Sequence, residues 1–308
     1  MQKEILRVFE YFYFFSYPIN FKTIKKYLGV KVNDKKLKKE VERLVKLKKI
    51  TFKRNLYTLG EYNKSKLEIP ASRGERNSKF EISQKKLNNL RFRAYLKLIS
   101  MFPQIQLIGL SGSAAMNNAK ENDDIDLFII ASVNRIWTTR LICLIIATFF
   151  GVKRSRLEKN VSNKVCLNLF FDKKNIEIPN FKRNYYIAHE IIQLKPLINK
   201  NYMYEIFLYR NRWVCDIFPN VEVPTSSPQL VPRSSKDEVG KRGSSESRFP
   251  IRSGMTCVLD FIENFLKKIQ LYLINKHKTK EIITDTQLWF FPDDFEEKLP
   301  EFARKKLN

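Results

Sequence analysis

The chain has 308 residues, enough for two modest domains, and its 44% hydrophobic content can supply a buried core. Its formal charge of +25 suits a polyanionic partner such as nucleic acid or nucleotide, although the abundance of lysine throughout is also what an AT-rich genome would produce. The four cysteines are widely spaced, which argues against a zinc knuckle and a disulfide framework. The apolar runs reach at most about twelve residues, too few for a membrane span, and the N-terminus shows no signal-peptide pattern. These features predict a cytoplasmic protein.

The first 62 residues predict three helices followed by a hairpin. The first helix ends before Pro18, because the residue preceding a proline avoids the α region. A short helix follows over about 20–28, and a third begins with Asp34 as its N-cap. Arg54-Asn55 separates two short strands and is typical of a two-residue hairpin turn. This order is that of a winged helix-turn-helix.

Basic side chains recur three or four positions apart on the third helix, opposite its apolar stripe. They are Lys36, Lys39, Arg43 and Lys46. A helix that contacts DNA or RNA shows this pattern, and so does an ordinary solvated helix in a lysine-rich protein. Since no base-reading residue stands out, both interpretations stay open.

The rest of the chain predicts an α+β fold, with a linker over 63–80 and a small mixed β-sheet domain over 81–180. Beyond that domain we expect a helical region over 181–222, a disordered linker over 223–254 and a helical C-terminal segment over 255–308. The elements predicted within the sheet domain are a helix over 83–100, a strand over 104–110, a helix over 114–120, a strand over 124–131, a helix over 136–150 and a strand over 165–171.

The stretch between the first two strands of this domain carries the chemistry. Ser111-Gly112-Ser113 forms a turn that opens a helix, where free backbone N–H groups and a glycine suit phosphate binding. Asp124 and Asp126 follow at alternate positions of the next strand, so both carboxylates point to one face. Such a pair can hold the divalent cations that phosphoryl-type transfer uses to activate the attacking oxygen and to stabilise the leaving pyrophosphate.

Gly112-Ser113, followed after ten residues by Asp124-Ile125-Asp126 in an apolar strand, resembles the signature of the DNA polymerase beta-type nucleotidyltransferase superfamily. The whole chain is more loosely similar to bacterial and archaeal nucleotidyltransferase-domain proteins with an N-terminal winged helix. The resemblance implies transfer of a nucleotidyl group from a nucleoside triphosphate, with Mg²⁺ on Asp124 and Asp126 and a phosphate contact at Ser113.

The chain departs from that pattern on the third strand, where active members carry a third carboxylate. Asn168 occupies the central polar position, and an amide oxygen can coordinate a cation but brings no negative charge and is a poor base. Asp172, Glu177 or Asp123 could substitute if the strand register differs.

Other polar pairs are weaker candidates. His189-Glu190 begins like the zinc signature HExxH, but Gln193 stands where the second histidine ligand belongs, so we expect a packed histidine.

Two functions therefore remain. One is a Mg²⁺-dependent nucleotidyltransferase acting on a hydroxyl of nucleic acid, protein or a small molecule. The other is a catalytically degenerate regulator that senses nucleotide and binds DNA. The sequence predicts no membrane partner and leaves the oligomeric state, the nucleotide and the acceptor open.

Overall fold

The computed structural model describes residues 1–60, 73–155, 158, 160–226, 228, 254–276, 279–290 and 298–305. Most of the predicted disordered linker, namely residue 227 and residues 229–253, lies outside the described residues, as does 63–72 of the predicted first linker. The described part contains a two-stranded and a six-stranded sheet with helices, so the predicted α+β class is confirmed. None of its helices is long and apolar enough to cross a bilayer.

The N-terminal module consists of three helices and a hairpin. Their bounds are α1 (Gln2–Phe14), α2 (Phe21–Lys26), α3 (Asp34–Lys46), β1 (Ile50–Lys53) and β2 (Leu56–Leu59). Arg54 and Asn55 both have positive φ, of 53° and 67°, which is the geometry of a tight two-residue hairpin. Ile19 adds a one-residue bridge to this hairpin through both backbone hydrogen bonds with Tyr57. Asn33, rather than the predicted Asp34, caps α3 by accepting from the backbone N–H of Lys36.

A six-stranded sheet forms the centre of the rest of the chain, in the order β6-β3-β4-β5-β8-β7. Its strands are β3 (Ile105–Leu110), β4 (Ile125–Ala131), β5 (Val165–Asp172), β6 (Lys195–Asn199), β7 (Ile282–Ile283) and β8 (Gln287–Trp289). Only β4 and β5 run parallel; all other neighbours are antiparallel. Because β3 and β4 are antiparallel neighbours, the C-terminal end of β3 lies beside the N-terminal end of β4.

Helices connect and cover these strands. They are α4 (Arg73–Leu87), α5 (Leu90–Ser100), α6 (Gly112–Ala115), α7 (Ile136–Phe149), α8 (Tyr185–Gln193), α9 (Met203–Arg210), α10 (Val214–Ile217), α11 (Gly254–Asn275) and α12 (Glu301–Arg304). The apolar helix predicted over 136–150 is thus confirmed as α7. The helix predicted over 114–120 is wrong in extent, since α6 has only four residues.

Four predictions of elements are corrected. The helix predicted over 83–100 is in fact two helices, because the side chain of Asn89 accepts a hydrogen bond from the backbone N–H of Arg91 and starts α5 anew. Residues 73–80, which were predicted as linker, belong to α4. The region predicted as helical over 181–222 contains β6, which tolerates Pro196 because it is an edge strand. The segment predicted as helical over 255–308 contributes β7 and β8 to the main sheet.

The N-terminal module shares a hydrophobic core with α8, α9 and α10. At its centre the buried ring of His189 lies between two tyrosines, with ring centroids 3.7 Å from Tyr11 and 4.5 Å from Tyr27. Asn118, from the loop after α6, adds a hydrogen bond of 2.9 Å to the carbonyl of Phe15. The expectation of a packed His189 is confirmed, and the module is continuous with the body that carries the sheet.

Candidate functional site

A tight turn leads from β3 into α6. Ser111 continues the β3–β4 pairing by donating its N–H to the carbonyl of Asp126 over 3.0 Å. Gly112 then adopts φ +64°, and a Cβ at this position would lie 2.3 Å from Oδ2 of Asp126. No residue with a side chain fits here without displacing that carboxylate. The sequence-predicted turn and the carboxylate pair are therefore in direct contact.

The Asp126 carboxyl is strongly perturbed. Burial, together with the nearby charges of Asp124 and Glu190, raises its pKa from 3.8 to about 8. Asn168 on β5 donates to Oδ1 of Asp126 over 2.9 Å. Such a carboxyl is costly to ionise without a cation, and a cation at the site would return it to the charged form. A strongly shifted carboxyl in a polar cluster is a mark of functional sites.

Asp124, the residue just before β4, pairs with a cation of the chain itself. Arg154 Nη1 lies 2.5 Å from Asp124 Oδ2 and 3.3 Å from Cys166 Sγ. Cys166 donates from Sγ to Oδ1 of Asn168 over 2.6 Å. These hydrogen bonds form a continuous series that begins at Asp124, passes through Arg154, Cys166 and Asn168, and ends at Asp126.

Three donor atoms converge in this network. One carboxylate oxygen each from Asp124 and Asp126 and the Sγ of Cys166 all lie within 4.8 Å of one another. Burial raises the pKa of the Cys166 thiol well above its usual 9.0, and sulfur is a soft ligand that suits zinc or copper rather than Mg²⁺. Mg²⁺ prefers oxygen ligands and is commonly held by one or two carboxylates plus phosphate oxygens and water. The donor set therefore fits Mg²⁺ on the two aspartates.

The other proposed carboxylates lie elsewhere. Asp172, at the far end of β5, accepts backbone N–H groups of Asn134 and Lys174 and is 1% exposed, which is a structural role. Glu177 pairs with Arg183. The register of β5 sets Cys166 beside Asp126, so the alternative in which Asp172 or Glu177 substitutes through a different register is not supported.

Asp123 and Ser113 are joined to each other. The hydroxyl of Ser113 donates to Oδ2 of Asp123 over 2.8 Å, and the backbone N–H of Lys120 donates to the same oxygen. Lys86 in α4 holds this loop by donating to the carbonyl of Asp123 over 2.7 Å. Asp123 therefore shapes the loop, and Ser113 contacts an internal carboxylate beside the turn.

Glu190 on α8 is the carboxylate that the sequence did not indicate. Its charge raises the pKa of Asp126. Burial raises its own pKa from 4.5 to about 7, although the nearby backbone N–H of Gly112 acts in the opposite direction. Only the packing of α8 brings it to the turn, and no spacing in the sequence signals that contact. The sole pointer was an ionisable residue within an otherwise apolar helix.

The basic residues predicted for nucleic-acid contact lie apart from this site on α3. Lys36, Lys39, Arg43 and Lys46 are all exposed, while Leu37, Val41 and Leu44 are buried on the other side of the helix. Arg43 also pairs with Glu40 over 3.3 Å. The predicted division of α3 into a basic and an apolar face is confirmed; its use for binding stays a prediction.

Comparisons of this chain with protein-family models, with curated proteins and with solved structures give no match. The site itself must therefore carry the functional interpretation. Its components are the glycine turn that opens α6, two converging aspartates, the guanidinium of Arg154 and the Glu190 carboxyl of near-neutral pKa.

Proposed function

We propose that this protein is a Mg²⁺-dependent nucleotidyltransferase, which moves a nucleotidyl group from a nucleoside triphosphate to a hydroxyl acceptor. The observation that carries the proposal is the contact between the Gly112 turn and the Asp126 carboxylate, where a Cβ would lie 2.3 Å from Oδ2. Phosphate binding at a glycine turn and cation binding at a carboxylate pair serve one reaction only if they adjoin. Here they do.

Each residue has a role in this proposal. Asp124 and Asp126 would hold Mg²⁺, which supplies charge neutralisation for the phosphates and the leaving pyrophosphate. The turn of Ser111, Gly112 and Ser113 would bind phosphate oxygens through backbone N–H groups and a hydroxyl. For this, the Ser113 hydroxyl must exchange its Asp123 partner for a phosphate.

Two further side chains complete the site. Arg154, released from Asp124 when a metal binds there, is a long cation suited to a phosphate oxygen. Glu190, with a pKa of about 7, is the group best able to accept the proton of the attacking hydroxyl. It would supply the negative charge that Asn168 lacks.

Labelling tests the proposal. The protein, Mg²⁺ and each α-labelled nucleoside triphosphate are incubated with RNA, with the protein itself as acceptor, and with a small-molecule hydroxyl mixture. We expect label transfer that both Asp124→Asn and Asp126→Asn abolish. Asp285→Asn is the matched control. Asp285 lies in the β7–β8 turn, which is beside the Asp172 end of β5, whereas Cys166 and the aspartate pair are at the other end. At about 3.3 Å per residue along β5, the two ends are about 20 Å apart. Label transfer by the double Asn variant at the parental rate would exclude the site.

A second function, a nucleotide-sensing regulator without turnover, is favoured by one observation. Arg154 already neutralises Asp124, and Asn168 rather than a carboxylate contacts Asp126. A site in which an arginine occupies Asp124 and an amide stands in place of the third carboxylate can bind nucleotide without completing the transfer. Mg²⁺-dependent thermal shifts with nucleotide, combined with no labelling of any acceptor, would support this function over the first.

Both functions can use the N-terminal module, whose three helices, hairpin and Ile19–Tyr57 bridge resemble a winged helix. We propose that the basic face of α3 contacts DNA or RNA. Charge reversal of Lys36, Lys39 and Arg43 should then weaken binding and lower its salt dependence. Reversal of Lys3, Lys22 and Lys31, three exposed residues outside α3, is the matched control. Equal loss in the two sets would indicate only the general effect of net charge.

A further inference from the structure

Helix α11 has its polar and apolar sides reversed relative to an ordinary surface helix. The side that faces the body is polar: Glu263 accepts the backbone N–H groups of Trp137 and Thr138, and Gln270 donates to the carbonyl of Trp137 over 2.9 Å. Asp260 pairs with Arg135 over 2.8 Å on the same side. These three polar residues thus dock α11 on the start of α7, and Leu266, Leu271 and Ile274 pack into the core beside them.

The apolar side of α11 is turned outward. Eight large side chains on this helix are between 40% and 73% exposed. They are Val258, Leu259, Phe261, Ile262, Phe265, Ile269, Tyr272 and Leu273. A surface helix normally buries this stripe and exposes its charges. An exposed stripe of this extent on one element marks an interaction surface.

The spacing of the stripe identifies the kind of surface it fits. Val258, Ile262, Phe265, Ile269 and Tyr272 follow one another at intervals of four, three, four and three residues. This is the repeat of the central seam of a coiled coil, in which side chains of one helix enter holes on another helix. Since Glu263, Gln270 and Asp260 lie on the opposite side, the seam points directly away from α7.

We propose that α11 is a dimer interface, at which the seam of one copy packs against the seam of a second copy of this chain. A seam that matches itself satisfies the requirement of a two-fold interface, where the same surface serves on both partners. Eight half-exposed side chains of this size present about 700 Å² of apolar surface, close to the roughly 800 Å² that each partner buries in a stable complex. The area therefore suffices for a dimer without contributions from other elements.

Analytical ultracentrifugation of the full chain tests the proposal. We expect the wild type to sediment as a dimer and Phe265→Glu/Ile269→Glu to be monomeric, with a dissociation constant raised by at least about 100-fold, since a charge would enter an apolar seam. Asn264→Glu, which adds a charge to the same helix outside the seam, is the matched control and should remain dimeric. If the double Glu variant does not fold, Phe265→Ala/Ile269→Ala replaces it, with the same direction of change.

A wild type that stays monomeric at its highest soluble concentration overturns the proposal. So does a monomer that co-sediments with vesicles of phosphatidylcholine and phosphatidylserine through the same residues, because the seam would then contact a lipid surface. A dimer that survives both pairs of seam substitutions likewise excludes α11 as the interface. The test does not use the nucleotide site, so its outcome is independent of the proposed activity.

Discussion

Replacing Asp126 by Asn should stabilise the metal-free protein at neutral pH while removing its response to Mg²⁺. Burial and neighbouring carboxylates raise the pKa of Asp126 from 3.8 to about 8. Between these values the unfolded chain has released the proton while the folded one keeps it, so stability falls as pH rises. At about 1.4 kcal/mol per pH unit, the penalty is on the order of 2 kcal/mol at about pH 5 and 4 kcal/mol at about pH 7.

The Asn variant should avoid this penalty because its amide cannot ionise. Its side-chain oxygen can still accept from Asn168, whose bond to Asp126 is 2.9 Å long. Urea unfolding between about pH 5 and pH 8, in EDTA and in Mg²⁺, measures the effect. We expect the advantage of the variant to grow with pH in EDTA, and only the wild type to gain stability in Mg²⁺.

Asp124→Asn is the matched control with the opposite sign. It breaks the contact with Arg154, and since the Asp124 and Arg154 side chains are 15% and 41% exposed, the loss should be modest, about 1 kcal/mol or less. A wild type whose stability does not change with pH, together with an Asp126→Asn variant that is less stable than it in EDTA, would refute the reasoning.

Three further predictions concern the turn, the third strand and the interior. Gly112→Ala should destabilise the fold by more than the roughly 1 to 2 kcal/mol of left-handed strain, because its Cβ would lie 2.3 Å from Asp126. Gly151→Ala shares a positive φ, but its Cβ would meet only the Arg91 guanidinium at 4.0 Å, so equal midpoint shifts in urea for the two variants would argue against the contact. Asn168→Asp should lower the melting temperature in EDTA and enlarge the Mg²⁺-induced rise, as calorimetry would record; an unchanged rise would place the cation elsewhere. Burial lowers the pKa of His189 from 6.5 to about 3, so its own contribution to stability should fall by about 1.4 kcal/mol per pH unit below 6.5, opposite in sign to that of Asp126; the stability of His189→Phe relative to the wild type should therefore rise at that slope as pH falls, as chemical denaturation of both proteins would record.

The part of the site that lies within one continuous stretch was predictable from the sequence. The segment from β3 to β4 contains two apolar strands, a glycine turn and alternating aspartates, so local geometry brings Gly112 and Asp126 together. The strands β3, β4 and β5 were also predictable, because each is a run of apolar residues bounded by turn residues. Such features depend on neighbours in the chain.

The remaining features depend on contacts between distant segments. Arg154 reaches Asp124 and Cys166 only because β4 and β5 pair in a register that sets Cys166 beside Asp126. Glu190 reaches Gly112 only through the packing of α8. The strands β6 and β8 have five and three residues, which is too short for their hydrophobic periodicity to identify them. They form because β3 and β5 offer unpaired backbone groups with which they can pair.

Consecutive residues of α8 face two different parts of the molecule. His189 is held between Tyr11 and Tyr27 of the N-terminal module, and the neighbouring Glu190 faces the backbone of Gly112 in the turn. One short helix therefore joins the N-terminal module to the glycine turn. If α3 binds a nucleic acid as proposed, only one stretch of the bound strand would reach the aspartates, so distance along the strand rather than base sequence would set the position of modification.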